Sequence, residues 1–197
     1  MSRFATFLLL ATLSAIAQEP DPITPVAHHF IDQKYGLTLQ IPAAWNLSRH
    51  DGELSTFHAD ARSAPPLSQL RAVASIAFNP YPLSNFAGAL VYLSVTPHTN
   101  DADCARQAFL PLHHPATTAQ INGISFSRGH DEHGDRFCIE SRDDVYTTFR
   151  RNACTRVDLV VNTFCAKTSG AQELTVRQMD DLQSREHKIL DSLTLKP

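Results

Sequence analysis

The chain has 197 residues, 43% of them hydrophobic and 19% charged, which bounds one ordinary domain able to bury a core. With 20 acidic and 17 basic residues, its formal charge is −3, and the basic residues are too scattered for the concentrated basic surface that nucleic acid binding needs. No segment after the N-terminal leader reaches the about 20 consecutive apolar residues that cross a bilayer, so no transmembrane segment is expected after signal cleavage.

The elements begin with an export signal. Arg3 is the only charge before an apolar run centred on Phe7-Leu8-Leu9-Leu10, and Ala15-Ile16-Ala17 supplies a small-x-small cleavage site. Residues 1–17 therefore read as a signal peptide, with Gln18 opening the mature chain. Losing them removes Arg3 and no acid, taking the formal charge from −3 to −4. Residues 18–27 hold three prolines and two acids and read as a flexible lead-in. Residues 28–197 then form a single domain.

From Tyr35 the pattern alternates. Tyr35, Leu37, Leu39 and Ile41 share one face of a half-buried strand. Pro42 ends it, and Trp45 caps the edge of the core. Residues 53–58 read as a short strand, and residues 59–70, with Pro65-Pro66, as a loop. Strands follow at residues 73–78 and 90–95, each stopped by proline. Asn100 or Asp101 caps a helix running to about Leu110, and Asp101 and Asp103 suit its positive end.

Residues 111–119 read as a loop. Residues 121–127 read as a strand interrupted by Asn122-Gly123, and residues 128–135 as a polar, glycine-flanked turn. Strands at 136–141, 145–150 and 154–163, joined at Arg142-Asp143 and Arg151-Asn152-Ala153, make an antiparallel meander. Arg150-Arg151 and Arg156, with Asp143, Asp144 and Asp158 beside them, read as a solvated sheet face. Thr175-Val176-Arg177-Gln178 is a capping box. A helix follows to about Leu190, its apolar stripe of Met179, Leu182, Ile189 and Leu190 interrupted by Glu186. Leu193 and Leu195 add a short final strand.

Few catalytic signatures are present. Gly123-Ile124-Ser125-Phe126-Ser127 carries half of a nucleophile elbow, with Ser127 in place of the second glycine. There is no P-loop, dinucleotide fingerprint or HExxH. Asp143-Asp144 and Asp180-Asp181 are sequence neighbours, which do not face one another on a strand or helix. His130-Asp131-Glu132-His133 is the most suggestive cluster, because two imidazoles and two carboxylates suit a borderline divalent metal. His130 and His133 are its candidate ligands, although a polar hairpin tip explains the same letters. His113-His114 would lend a ligand if the two loops meet, and His28-His29 reads as merely exposed. Asn46-Leu47-Ser48 fits a glycosylation sequon, which matters only in a eukaryote.

Four cysteines, Cys104, Cys138, Cys154 and Cys165, remain in a chain read as exported, which favours disulfides. Cys154 and Cys165 lie at opposite ends of one predicted strand, about 36 Å apart. A disulfide tolerates about 7 Å. This excludes Cys154–Cys165, and with it Cys104–Cys138 in a complete set. Two patterns stay open. Strand parity places Cys138 and Cys154 on one face, but two strands apart and off register. Cys138–Cys165 requires the last strand to bend after Val161.

The stretch Tyr35-Gly36-Leu37-Thr38-Leu39-Gln40-Ile41-Pro42-Ala43-Ala44-Trp45 resembles the opening of the PsbP-like family: an amphipathic strand, a proline and a tryptophan. The close of the chain, a three-strand meander and then a helix ending as Ile189-Leu190-Asp191-Ser192-Leu193-Thr194-Leu195, is similar as well. Exported bacterial relatives of unknown function share a segment like Val145-Tyr146-Thr147-Thr148-Phe149-Arg150-Arg151-Asn152-Ala153-Cys154. The resemblance implies an α+β fold, an antiparallel β-sheet of about six to seven strands with helices packed on its faces. It implies an accessory or interaction role and no catalytic activity, and it favours Cys104–Cys154 as the likeliest single bridge. The expected function is an exported non-enzymatic accessory or binding domain of the cell envelope, periplasmic or secreted, with an envelope protein or small ligand as partner and no cofactor. The alternatives are an envelope hydrolase or metal-binding protein using His130 and His133, and a structural envelope component.

Overall fold

A computed structural model describes residues 26–50, 67–108, 117–134, 138–165 and 170–196. The expected signal peptide, most of the expected lead-in, the short strand expected at 53–58 and His113-His114 lie outside the described residues. A large antiparallel sheet holds β3 (Trp45–Arg49), β4 (Gln69–Ile76), β5 (Phe86–Pro97), β6 (Thr117–Ile121), β7 (Ile124–Gly134), β8 (Ile139–Arg150) and β9 (Ala153–Phe164). Its strand order is β3-β4-β5-β9-β8-β7-β6. A small sheet of β1 (His28–Asp32), β2 (Leu37–Ile41) and β10 (Thr194–Leu195) has the order β1-β2-β10. The helices are α1 (Asp101–Gln107) and α2 (Val176–Leu190).

β9 is the central strand, and it is covered on both faces. Val157, Leu159 and Val161 join the main core with Val91, Leu93, Phe126 and Tyr146. The small sheet and α2 close this core through Phe30, Leu39, Leu182, Ile189 and Leu190. The period-2 alternation of a strand sends the residues between them to the other face, where α1 lies over β8 and β9. Leu70, Tyr92 and Val160 form a smaller apolar cluster on that side. Asn100 caps α1 by accepting from the Asp103 backbone, and the Thr175–Gln178 capping box opens α2 as the sequence implies.

Several expectations need correction. The polar stretch 128–135 is no turn: His130, Asp131, Glu132 and His133 continue β7 and pair with residues 141–144 of β8. The Arg142-Asp143 link is mid-strand, because charge partners on both sheet faces absorb Asp143 and Asp144. Residues 121–127 are two strands, joined by a hairpin in which Asn122 and Gly123 both take left-handed φ, 50° and 74°. Trp45 opens β3 and is 2% exposed, inside the core rather than at its edge. His28 and His29 belong to β1, where they pair with Ile41 and Gln40 and stay exposed.

Two disulfides form, Cys104–Cys154 and Cys138–Cys165, with Cα separations of 5.2 Å each. The second needs no bend in β9. β8 begins at Ile139, which lies opposite Phe164, so the register itself brings Cys138 beside Cys165. Reading β8 as two strands hid this closeness. The two bridges are compatible with an oxidising, extracellular location. No helix among the described residues is long and apolar enough to cross a membrane.

Candidate functional site

The histidine cluster is the first place to look, and a strand splits it. His130 and His133 differ by three positions, so they point to opposite sheet faces. His130 shares the α2 face with Asp144 and Glu132, at 3.2 and 3.3 Å. His133 shares the α1 face with Asp131, at 3.0 Å. The structure therefore does not bring the two rings to one point, and no group of three or more His, Cys, Asp or Glu among the described residues is placed to hold a metal ion.

On the α2 face the result is a ladder of charges between β7 and β8. Arg128 bonds Asp144 at 3.2 Å, and Arg142 bonds Glu132 at 2.8 Å. The Asp144 hydrogen bond outweighs burial and raises the pKa of His130. Burial opposes the charge on Asp144, yet His130 and Arg128 hold its carboxyl below the usual range. Arg128 also lies 5.6 Å from the centre of the Tyr146 ring. Glu186, which the sequence pattern treats as an interruption, is buried among these groups, and burial pushes its carboxyl well above the ordinary range.

The α1 face holds a deeper cluster. Arg156 and Asp158 are both 0% exposed, against the expectation of a solvated face. Two residues apart on one strand, they point the same way, and the Arg156 Nε donates to both carboxylate oxygens at 2.9 Å. Its Nη1 donates to the Gln107 carbonyl of α1 at 3.1 Å. Asp143 is buried beside the pair. Burial first, then repulsion by Asp158, pushes the Asp143 carboxyl well above the usual carboxylate range.

These two clusters are internally compensated. A third place is not. At the opposite end of the long strands, a cavity of about 340 Å³ opens where the β1–β2 turn, the β8–β9 turn, the end of β5 and the β10 tail meet. Four of its lining residues are cationic: Lys34, Arg150, Arg151 and Lys196. None is acidic. Tyr35, Leu37, Pro97 and Leu195 give it an apolar floor. The Gln69 side-chain oxygen Oε1 already accepts from Lys34 Nζ at 3.3 Å and from Tyr35 Oη at 3.0 Å. Arg150 Nη1 donates to the Leu195 carbonyl at 3.5 Å.

Backbone conformation shapes this mouth. Gly36, His98, Arg151 and Asn152 all take left-handed φ, between 51° and 68°. A Cβ at Gly36 would sit 3.1 Å from Lys196 Cβ and 3.7 Å from Arg151 Nη1, so glycine is what lets two cations converge over the turn. Sequence reading missed the cavity because its residues come from five separate segments. It did notice Arg150-Arg151, but assigned them to Asp143 and Asp144. Seven residues of β8 carry those carboxylates roughly 23 Å away.

No protein-family model matches this chain, and no curated protein matches it. Its fold is similar to the solution structure of cyanobacterial PsbP from Synechocystis sp. PCC 6803, at 12% identity and a TM-score of 0.48, over 95% of this chain and 99% of that one. It is also similar to a crystal structure from Bacteroides thetaiotaomicron, at 10% identity and a TM-score of 0.46; 86% of this chain is covered, which spans about half, 48%, of that one.

Proposed function

We propose that the chain is an exported, non-enzymatic accessory or binding domain of the cell envelope, and that it holds its ligand or partner at the cavity beside Gly36. One observation carries this reading: a concave surface that gathers four cations and, among the described residues, no acid on a protein whose formal charge is −3. Structural ion pairs explain the other charged clusters. They do not explain this one, and like charges converge on a surface when something of opposite charge completes it. The N-terminal export signal and two disulfides support the compartment.

The test uses the mature protein, immobilised and exposed to an envelope extract of the source cells. We expect a retained species, identified by mass spectrometry, that the double variant Arg151→Glu, Lys196→Glu fails to retain. Identical profiles for the two proteins would refute the role of the cavity. N-terminal sequencing of natively secreted material should begin at Gln18, whereas Met1 retained in membrane-embedded protein would end the export reading. A stoichiometric zinc ion lost on combining His130→Ala with His133→Ala would instead favour the metal-protein alternative. Self-assembly of the pure protein would favour the structural one.

A further inference from the structure

We infer that the cavity takes a small oxyanion ligand, a carboxylate or phosphate carried on a short apolar body. The inference rests on reading the cavity as the binding site, and adds what that site selects.

The first argument is a donor count. Lys and Arg side chains only donate hydrogen bonds. The acceptor oxygen of Gln69 is taken by Lys34 and Tyr35, which leaves its amide nitrogen to donate. Tyr35 uses its hydroxyl proton on Gln69. The polar rim at Lys34, Gln69, Arg150, Arg151 and Lys196 is thus rich in donors around an apolar floor. A carboxylate or phosphate is acceptor-rich and charged, and its hydrogen bonds to such donors are the strong, charge-assisted kind. A neutral amide ligand offers this rim one uncharged acceptor oxygen where a carboxylate offers two charged ones.

The second argument is an internal comparison of two hairpins. Both β6–β7 and β8–β9 turn through two residues at positive φ. The first uses Asn122-Gly123, the pair such turns favour. The second puts Arg151 at the first position, at φ 51°. A left-handed conformation is uncommon for a long side chain, and strain of this kind concentrates at ligand-binding sites. Stability alone favours asparagine or glycine there. What arginine adds is a guanidinium over the cavity, 3.7 Å from the Gly36 Cβ position and close to Lys196.

The size sets the body of the ligand. A cavity of about 340 Å³ is at the small end of ligand sites, and suits one ring or a short chain behind the charged group. The same oxyanion occurs in a free metabolite and in a lipid headgroup, so the probes must separate the two.

The experiment titrates the mature protein with phenyl phosphate, benzoate and the neutral isostere benzamide, followed by amide NMR shifts at Gly36, Asn152 and Lys196 and by calorimetry. We expect both anions to shift these amides and benzamide not to. Arg151→Asn should weaken binding about tenfold or more, the loss of one charge-assisted bond, without loss of thermal stability. Added salt should weaken binding as well. Sedimentation with phosphatidylglycerol but not phosphatidylcholine vesicles, reversed by phenyl phosphate, assigns the headgroup as source. Phenyl phosphate binding without sedimentation assigns a free ligand. Benzamide binding as tightly as benzoate overturns the oxyanion assignment while leaving the cavity a binding site. Silence from every probe also overturns it, and the capture experiment with the charge-reversed variant then decides the binding-domain reading separately.

Discussion

Arg156 is the largest fully buried side chain among the described residues, and its role can be separated from that of its neighbours by substitution. It is the cation beside two buried carboxylates, Asp158 and Asp143, and burial raises the pKa of Asp143 well above its ordinary value. Removing it strands Asp158 without its bidentate partner, so Arg156→Met should destabilise the fold by about 3–5 kcal/mol. Asp143→Asn removes a carboxyl whose charge burial opposes, and should change stability by less than about 1 kcal/mol at neutral pH. Urea unfolding of both variants checks the pair, and equal losses would contradict the prediction that Asp143 is held neutral. Glu186 gives a pH signature. Its folded pKa is raised by burial, so above the unfolded value of about 4.3 the folded state holds a proton that the unfolded state releases. Stability then falls with rising pH, by about 1.4 kcal/mol per pH unit for that proton, until the folded pKa is passed. Glu186→Gln should remove this slope, leaving the variant relatively more stable at pH 8 than at pH 5. Parallel stability profiles for wild type and variant would mean that Glu186 is not held protonated.

At the scale of elements, the two hairpins and the helix caps make separate predictions. Replacing Arg151 by asparagine relieves a left-handed arginine and should raise stability by about 0.5–1 kcal/mol, measurable as a higher unfolding temperature. Thr175→Ala removes the capping oxygen that accepts from the Gln178 backbone and should lower stability by about 1 kcal/mol. What could be read in advance follows the same division. The alternation of β2, the proline stops after β4 and β5, and both helix caps are local signals, and the structure carries them all. β7 and β8 were misread because residues 128–135 and Arg142-Asp143 look like turns until their partners are known. Those partners, Asp144 for His130 and Arg156 for Asp143, lie in other segments of the chain. A pattern read one segment at a time scores a buried charge as an exposed one. The cavity was invisible for a related reason: Lys34, Arg150 and Lys196 are far apart in sequence and become neighbours only through register.

For the whole molecule, the disulfides bracket the central strand. Cys154 lies near the start of β9 and Cys165 just beyond its end. Their partners are 50 and 27 residues away. In the chain-entropy account, loops of these lengths give about 4 and about 3.5 kcal/mol. Cys104→Ala with Cys154→Ala should therefore cost more than Cys138→Ala with Cys165→Ala, as judged by denaturant midpoints. The opposite order would show that native packing, not loop length, sets the balance.

The Cys104–Cys154 bridge also bears on when the protein can fold. α1 has seven residues, too few to persist as an isolated helix, yet it supplies the carbonyl that Arg156 needs when buried. In a reducing cytoplasm that bridge does not form, and nothing covalent keeps α1 docked over a guanidinium and two acids that water solvates well. The newly made chain is thus expected to stay loosely packed, with its charges hydrated, until it meets an oxidant. Held in dithiothreitol, the mature sequence should bind a hydrophobic dye and exchange its β9 amides quickly; on oxidation both should cease together. On the export reading, the polar heart of the sheet acts as a timer, setting maturation by place rather than by time since synthesis.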